Sequence, residues 1–186
     1  MNEDYIQSDG WFDYQDFYTK MANKPFKVYV ELGTWKGYSV AFLTEKIIET
    51  GKDDFKVYGI DLFEDSSIHL KNNNSHLSNQ IPYIYQIYNE VLTRSNVRDH
   101  ITDIKGYSWE TSKHFEDESV DFIFIDADHS YESVKKDIQS WWPKLRKGGI
   151  MSGHDYFNPF GVKQAVDEIF PKVQISSDRI WFIEKE

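Results

Sequence analysis

The stretch FIFIDADHSY (122–131) places three ionisable side chains, Asp126, Asp128 and His129, directly behind an apolar run. A short apolar run of this kind reads as a buried strand, so the three groups fall at its carboxyl end. A carboxylate there can hold a cation, and an imidazole can move a proton near neutral pH. Either can also close a turn. A second cluster, His154 and Asp155, follows the run GIMSG. If the two strands are neighbours, Asp126, His154 and Asp155 converge. Two carboxylates and an imidazole suit a divalent cation of the Mg²⁺ or Mn²⁺ type, with water or substrate completing an octahedron. The imidazole shifts the preference away from Mg²⁺ and toward Mn²⁺, Fe²⁺ or Zn²⁺. His129 reads either as a general base or as a group that orients Asp126. Asp128, just before SYES, reads as a turn or helix-cap residue, with a ligand role as the alternative.

Another polar cluster lies earlier, in ELGTWKGYS (31–39). Glu31 closes an apolar run, and Gly33 and Gly37 flank a turn into a helical pattern. Glycines allow close backbone approach, and a helix N-terminus offers free N–H groups. The spacing is E-x-G-x-x-x-G rather than the G-x-G-x-x-G of a dinucleotide site, and the bulky Trp35 stands inside it. Pyrophosphate is therefore disfavoured, and the acidic neighbour favours a ligand bearing an ammonium group. Asp61 ends the next apolar run, where a carboxylate can accept hydrogen bonds from both ribose hydroxyls.

These positions are set by alternating periods along the chain. Strands are predicted at 26–32, 55–61, 100–106, 119–126 and 149–155. Helices are predicted at 38–50, 81–96, 109–115, 131–145 and 160–170, with KGG (147–149) and Pro171 as stops. KVQIS and RIWFIEK flank SD and predict a terminal antiparallel hairpin. Alternation of this kind predicts an α/β fold with a mainly parallel sheet and helices on both faces. Ligands then lie at the carboxyl ends of the strands, where the polar clusters fall. The Asn-rich segment 64–80 is long for a connection and reads as a lid or a solvated loop. The aromatic group Trp11, Phe12, Tyr14, Phe17 and Tyr18 precedes the first strand and is a candidate cover for the site.

The 186 residues suit a single domain over 1–186, with 1–25 as the aromatic cover segment. The chain carries a formal net charge of −10 and no cysteine. The charge argues against nucleic acid, and the cysteine count excludes disulfides and thiolate chemistry. Neither a signal peptide nor an apolar stretch long enough to span a membrane is evident, so a cytoplasmic location is expected. A homo-oligomer is compatible with a site left open by a short cover segment.

A ligand with an amino-acid end, a ribose and an adenine suggests S-adenosylmethionine. From VYVELGTWKGYS to the terminal hairpin, the chain resembles the class I S-adenosylmethionine-dependent methyltransferases. IDADHSYESVKKDIQSWWPKLRKGGIMSGHDY resembles the small-molecule, metal-dependent O-methyltransferase branch. The resemblance implies a Rossmann-like seven-stranded sheet whose last hairpin supplies the only antiparallel strand. It implies that Glu31 and Gly33 face the methionine part, with Thr34, Gly37 and Ser39 in the same turn, and that Asp61 holds the ribose. Leu62, Phe63, Tyr107 and Ser108 would then flank the adenine, and Asp126 would border both cofactor and metal. It also implies metal ligation by Asp126 and by the pair 154–155, where His154 departs from the usual acidic residue. His129 stands where relatives resemble a lysine base. The expected reaction is O-methylation of a sugar or secondary-metabolite hydroxyl. A nicotinamide oxidoreductase lacks its glycine fingerprint here. A metal-dependent hydrolase using Asp126, Asp128 and His129 leaves Glu31, Gly33 and Asp61 without a role.

Overall fold

The computed structural model describes residues 12–63, 81–157, 160–176 and 179–186. The first half runs α1 (Gln15–Ala22), β1 (Val28–Leu32), α2 (Tyr38–Glu49) and β2 (Lys56–Asp61). After the segment 64–80, which lies outside the described residues together with its expected lid, come α3 (Ile84–Arg94) and β3 (Ile101–Lys105). Then follow α4 (Ser108–Thr111), β4 (Val120–Ile125), α5 (Tyr131–Trp141) and β5 (Leu145–Gly153). The chain closes with α6 (Val162–Ile169), β6 (Gln174–Ile175) and β7 (Trp181–Glu184).

The seven strands form one sheet in the order β3-β2-β1-β4-β5-β7-β6. Among the described residues only β7 runs against the direction of the other strands, inserted between β5 and β6. All six residues of β4 are buried, as a central strand covered on both faces requires. Alternate residues of each strand feed two cores. Tyr29, Val57, Phe122, Phe124 and Ile150 pack with α1, α2 and α3, while Val30, Leu32, Ile60, Ile123 and Met151 pack with α5 and α6.

Two of the boundaries that differ from the sequence expectation have a clear local cause. The helix expected to reach residue 145 ends at Trp141, because Pro143 has no N–H to continue the ladder. The fifth strand begins at Leu145 rather than 149. Leu145 pairs with Val120, and Ile150 with Phe122, so Arg146–Gly149 is accommodated as an irregularity between them. KGG (147–149) reads as a stop in sequence, yet pairing begins before it, with Gly148 at a left-handed φ of 70°.

Candidate active site

The side-chain period of two decides which strand-end groups meet. Glu31, Asp61, Asp126 and His154 share parity with Tyr29, Val57, Phe124 and Ser152, so all four project to the α1–α3 face. β2, β1, β4 and β5 are consecutive neighbours, so the four groups form a row across the carboxyl edge of the sheet.

The turn after β1 is fixed by backbone. Gly33 has φ +85° and donates its N–H to the Ile60 carbonyl (2.8 Å). Its Cα lies against β4: a Cβ there would come within 2.2 Å of the Asp126 carbonyl oxygen. Gly37 (φ +83°) occupies the N-cap of α2 with no side-chain capping bond. Asp61 ties this turn to β2. Its Oδ2 accepts from the Trp35 N–H and its Oδ1 from the Phe63 N–H, each at 2.9 Å. Burial raises the Asp61 carboxyl above its ordinary range, and the surrounding backbone N–H donors oppose that rise. Leu62 is partly exposed beside it. The Asp61 carbonyl accepts from the Gly106 N–H (3.0 Å), which brings Tyr107 and Ser108 alongside. Tyr107 is exposed and stacked on Trp109. Ser108 is buried, and its carbonyl accepts from Trp141 Nε1 (2.8 Å).

Glu31 is fully buried. Tyr18 donates its hydroxyl to Oε2 (2.8 Å), and Ser39 donates its hydroxyl to Oε1. Burial pushes the Glu31 carboxyl up to about 8, against the pull of these two donors. A carboxyl with a higher pKa in the fold than in the open chain contributes stability that is complete below its ordinary value of 4.5 and is lost as pH rises through about 8. Glu31→Gln should therefore flatten the fall in melting temperature between about pH 5 and 9. Parallel wild-type and variant curves would show that Glu31 is ionised in the fold throughout that range.

The centre of the row is Asp126. Tyr14 donates its hydroxyl to Oδ2 (3.2 Å), and His129 Nε2 lies 3.2 Å from Oδ1. His154 Nδ1 approaches Asp126 Oδ1 at 3.6 Å and Asp155 Oδ2 at 3.7 Å. His129 Nδ1 lies 3.6 Å from Asp155 Oδ2. One ligand atom each from Asp126, His154 and Asp155 falls within 4.8 Å of the other two. Burial would raise the Asp126 carboxyl, but the two imidazoles outweigh it and hold the group well below the usual carboxylate range. Burial lowers His154 and His129, and the facing carboxylates more than reverse this. His154 is held up to about 9, and His129 is also raised. Asp128 accepts from the Ser130 N–H (2.7 Å) and so closes the turn, while Ser130 is the N-cap of α5. Tyr131 pairs with Glu168 and Lys135 on the flank of α5.

Of the aromatic cover, Trp11 lies outside the described residues. Phe12, Tyr14, Phe17 and Tyr18 are buried against α2 and β4. Tyr14 lies 4.7 Å from the Phe124 ring and 5.1 Å from the His154 ring, centroid to centroid. The specific polar contacts of Asp13, Tyr14 and Tyr18 were not expected. Their only sequence signal is hydroxyl-bearing aromatics among plain ones ahead of the first strand.

A family profile described as "Methyltransferase domain" matches residues 30–156, which run from within β1 to just past the end of β5 and contain the whole row of strand-end groups. The chain belongs to that family. The chain is 28% identical over 139 residues to an uncharacterized protein of Acanthamoeba polyphaga mimivirus. The match covers 66% of this chain and 62% of that protein, so the chain spans about three fifths of its curated relative. The O-methyltransferase NovP superposes with a TM-score of 0.68 at 17% identity, over 92% of this chain and 78% of NovP. An O-methyltransferase from Bacillus cereus in complex with SAH gives 0.66 at 17% identity, over 98% and 90% of the two chains. CalS11, a TDP-rhamnose 3'-O-methyltransferase of calicheamicin biosynthesis, gives 0.62 at 14% identity, over 97% and 78%. These three share the Rossmann-like methyltransferase fold with this chain. No helix among the described residues is long and apolar enough to cross a membrane.

Proposed function

We propose that this methyltransferase moves a methyl group from S-adenosylmethionine to a hydroxyl oxygen of a small polar acceptor, assisted by a divalent cation. The observation that carries the reading is the contact of Gly33 with the Asp126 carbonyl. It sets the glycine turn and Asp61 directly beside the carboxylate–histidine cluster. The O-methyltransferase descriptions of NovP, of CalS11 and of the Bacillus cereus protein support the acceptor class, and CalS11 favours a sugar hydroxyl.

The donor chemistry fits the groups present. The N-terminus of α2 has no capping side chain, and the turn before it leaves no room for a Cβ at Gly33. In this reading Gly33, Thr34, Gly37 and Ser39 receive the amino-acid end, above the buried Glu31. Asp61 receives the ribose, and Leu62, Tyr107 and Ser108 flank the adenine. S-adenosylmethionine supplies a sulfonium methyl group, and the protein's part is to hold an oxygen in line with it. Asp126, His154 and Asp155 would hold the cation, whose chemistry is to lower the pKa of a bound hydroxyl. His129 accepts the hydroxyl proton on its ring, and Asp126 and Asp155 stabilise the imidazolium so formed. Tyr14 borders the same carboxylate and closes the site from the side of α1.

The ribose assignment has a direct test. Asp61→Ala should weaken SAH affinity by about tenfold or more, as the loss of a charge-assisted hydrogen bond worth 1.5–3 kcal/mol implies. Calorimetric titration at constant pH measures it. Unchanged affinity in a folded variant would remove Asp61 from the cofactor site.

A further inference from the structure

We propose that Asp13 is a positioning residue for the metal centre: it holds the His154 ring so that Nδ1 faces Asp126 and Asp155. The inference rests on the metal reading above and extends it to a residue outside the matched family region 30–156.

The two nitrogens of His154 have different partners. Nε2 lies 3.0 Å from Asp13 Oδ1, a hydrogen-bonding distance. Nδ1 lies 3.6 Å from Asp126 Oδ1 and 3.7 Å from Asp155 Oδ2, which is too long for hydrogen bonds. A carboxylate has no proton to give in this pairing, so the bond makes Nε2 the donor and fixes the ring's direction. Nδ1 is then the nitrogen left to face the paired carboxylates. An ion about 2.1 Å from each of three ligands separates adjacent ligand atoms by roughly 3.0–3.5 Å. The spacings around Nδ1 need only small adjustments to reach that range.

Ligating histidines are commonly oriented by a carboxylate on their other nitrogen, and loss of that partner weakens metal binding. Asp13 is built into such a position rather than merely passing by. On its far side, Arg179 Nη1 lies 3.7 Å from Asp13 Oδ2. On its chain side, Tyr14 is 5% exposed, packed on Phe124 and on His154 itself, with its hydroxyl on Asp126 Oδ2. Tyr14 therefore reaches the second carboxylate oxygen of Asp126, and its chain neighbour Asp13 the outer nitrogen of His154. Both leave Asp126 Oδ1, Asp155 Oδ2 and Nδ1 facing one another. The segment leading into α1 thus completes the metal centre instead of only covering it.

The test is a titration with Mn²⁺ alone, without cofactor, following the paramagnetic resonance signal of the free ion. Wild type, Asp13→Ala, Asp13→Asn and Asp126→Ala are compared, with melting temperatures recorded in metal-free buffer. Asp13→Ala should bind Mn²⁺ about 10- to 100-fold more weakly. Asp13→Asn, whose amide oxygen still accepts from Nε2–H, should recover most of the affinity. Both should melt within a few degrees of wild type, since Asp13 is about half exposed. Wild-type affinity in Asp13→Ala would reduce the contact to a surface ion pair and overturn the inference while leaving the metal reading intact. Equal losses in the Ala and Asn variants would mean that charge, not ring orientation, is what Asp13 supplies, and would overturn it as well. Failure of wild type to bind Mn²⁺ more tightly than Asp126→Ala would overturn the metal reading, and this inference with it.

Discussion

Gly33→Ala is expected to lower the melting temperature by roughly 6–12 °C, or to prevent folding altogether. The size follows from two costs at one atom. A left-handed φ of +85° costs a non-glycine residue about 1–2 kcal/mol. The added Cβ would also stand 2.2 Å from the Asp126 carbonyl oxygen and 2.6 Å from Ala127 Cα. Both neighbours are backbone, so β1 and β4 would have to separate at their carboxyl ends, and overpacking of this kind costs about 1–3 kcal/mol. A total near 3 kcal/mol corresponds to the stated shift in a chain of this size. Gly51→Ala is the control. Its φ is +79°, but nothing lies within 4 Å of the added atom, so it carries the conformational cost alone. Circular dichroism melts of the two variants decide the matter. Equal, small shifts would show that the strand ends are not in close contact at Gly33.

Asp126→Asn should cut methyl transfer by about 100-fold or more, in line with the loss of a positioned acid–base partner. The amide keeps the shape of the side chain and an acceptor for the Tyr14 hydroxyl. It removes the negative charge that stands between two imidazoles, 3.2 Å from His129 and 3.6 Å from His154. His129 and His154 should then titrate at lower pH, because Asp126 is a main cause of their raised values. Initial rates on a panel of sugar and phenolic hydroxyls measure the first effect, and nuclear magnetic resonance of the imidazole protons measures the second. Excess chelator should depress wild-type turnover and change the variant little further. Undiminished turnover of the wild type in chelator would take the cation out of the mechanism, and an active Asp126→Asn would take the carboxylate out as well.

Sequence reasoning reached the sheet because buried parallel strands carry nearly unbroken apolar runs, and β4 is the clearest of them. It singled out Asp61, Asp126, His154 and Asp155 as candidates for a related reason: polar groups at strand ends stand out against those runs. It could rank Asp128 below its neighbours, since a turn before SYES needs such a residue, and Asp128 does bond to the Ser130 N–H. The sealing of Glu31 was out of reach. Its donors, Tyr18 and Ser39, sit on two helices whose docking is not written in local periodicity. The partners of Tyr14 and Asp13 are still further off, 112 and 141 positions along the chain. The start of β5 was missed because Arg146–Gly149 is at once a turn signal and part of a paired strand.

Those long separations bear on the order in which the molecule assembles. Contacts remote in sequence are slow to form relative to local ones. The docking of Asp13 on His154 requires β5 to be in place, and β5 itself pairs with β4. A chain in which α1 has not yet docked leaves His154 and Asp126 without Asp13 and Tyr14. In that state Phe122 and Phe124 lack the cover of Phe12, Tyr14, Phe17 and Tyr18. The same step that buries this aromatic face delivers Asp13 and Tyr14 to the strand ends, so the packing of the face and the polar contacts of Asp126 and His154 form together.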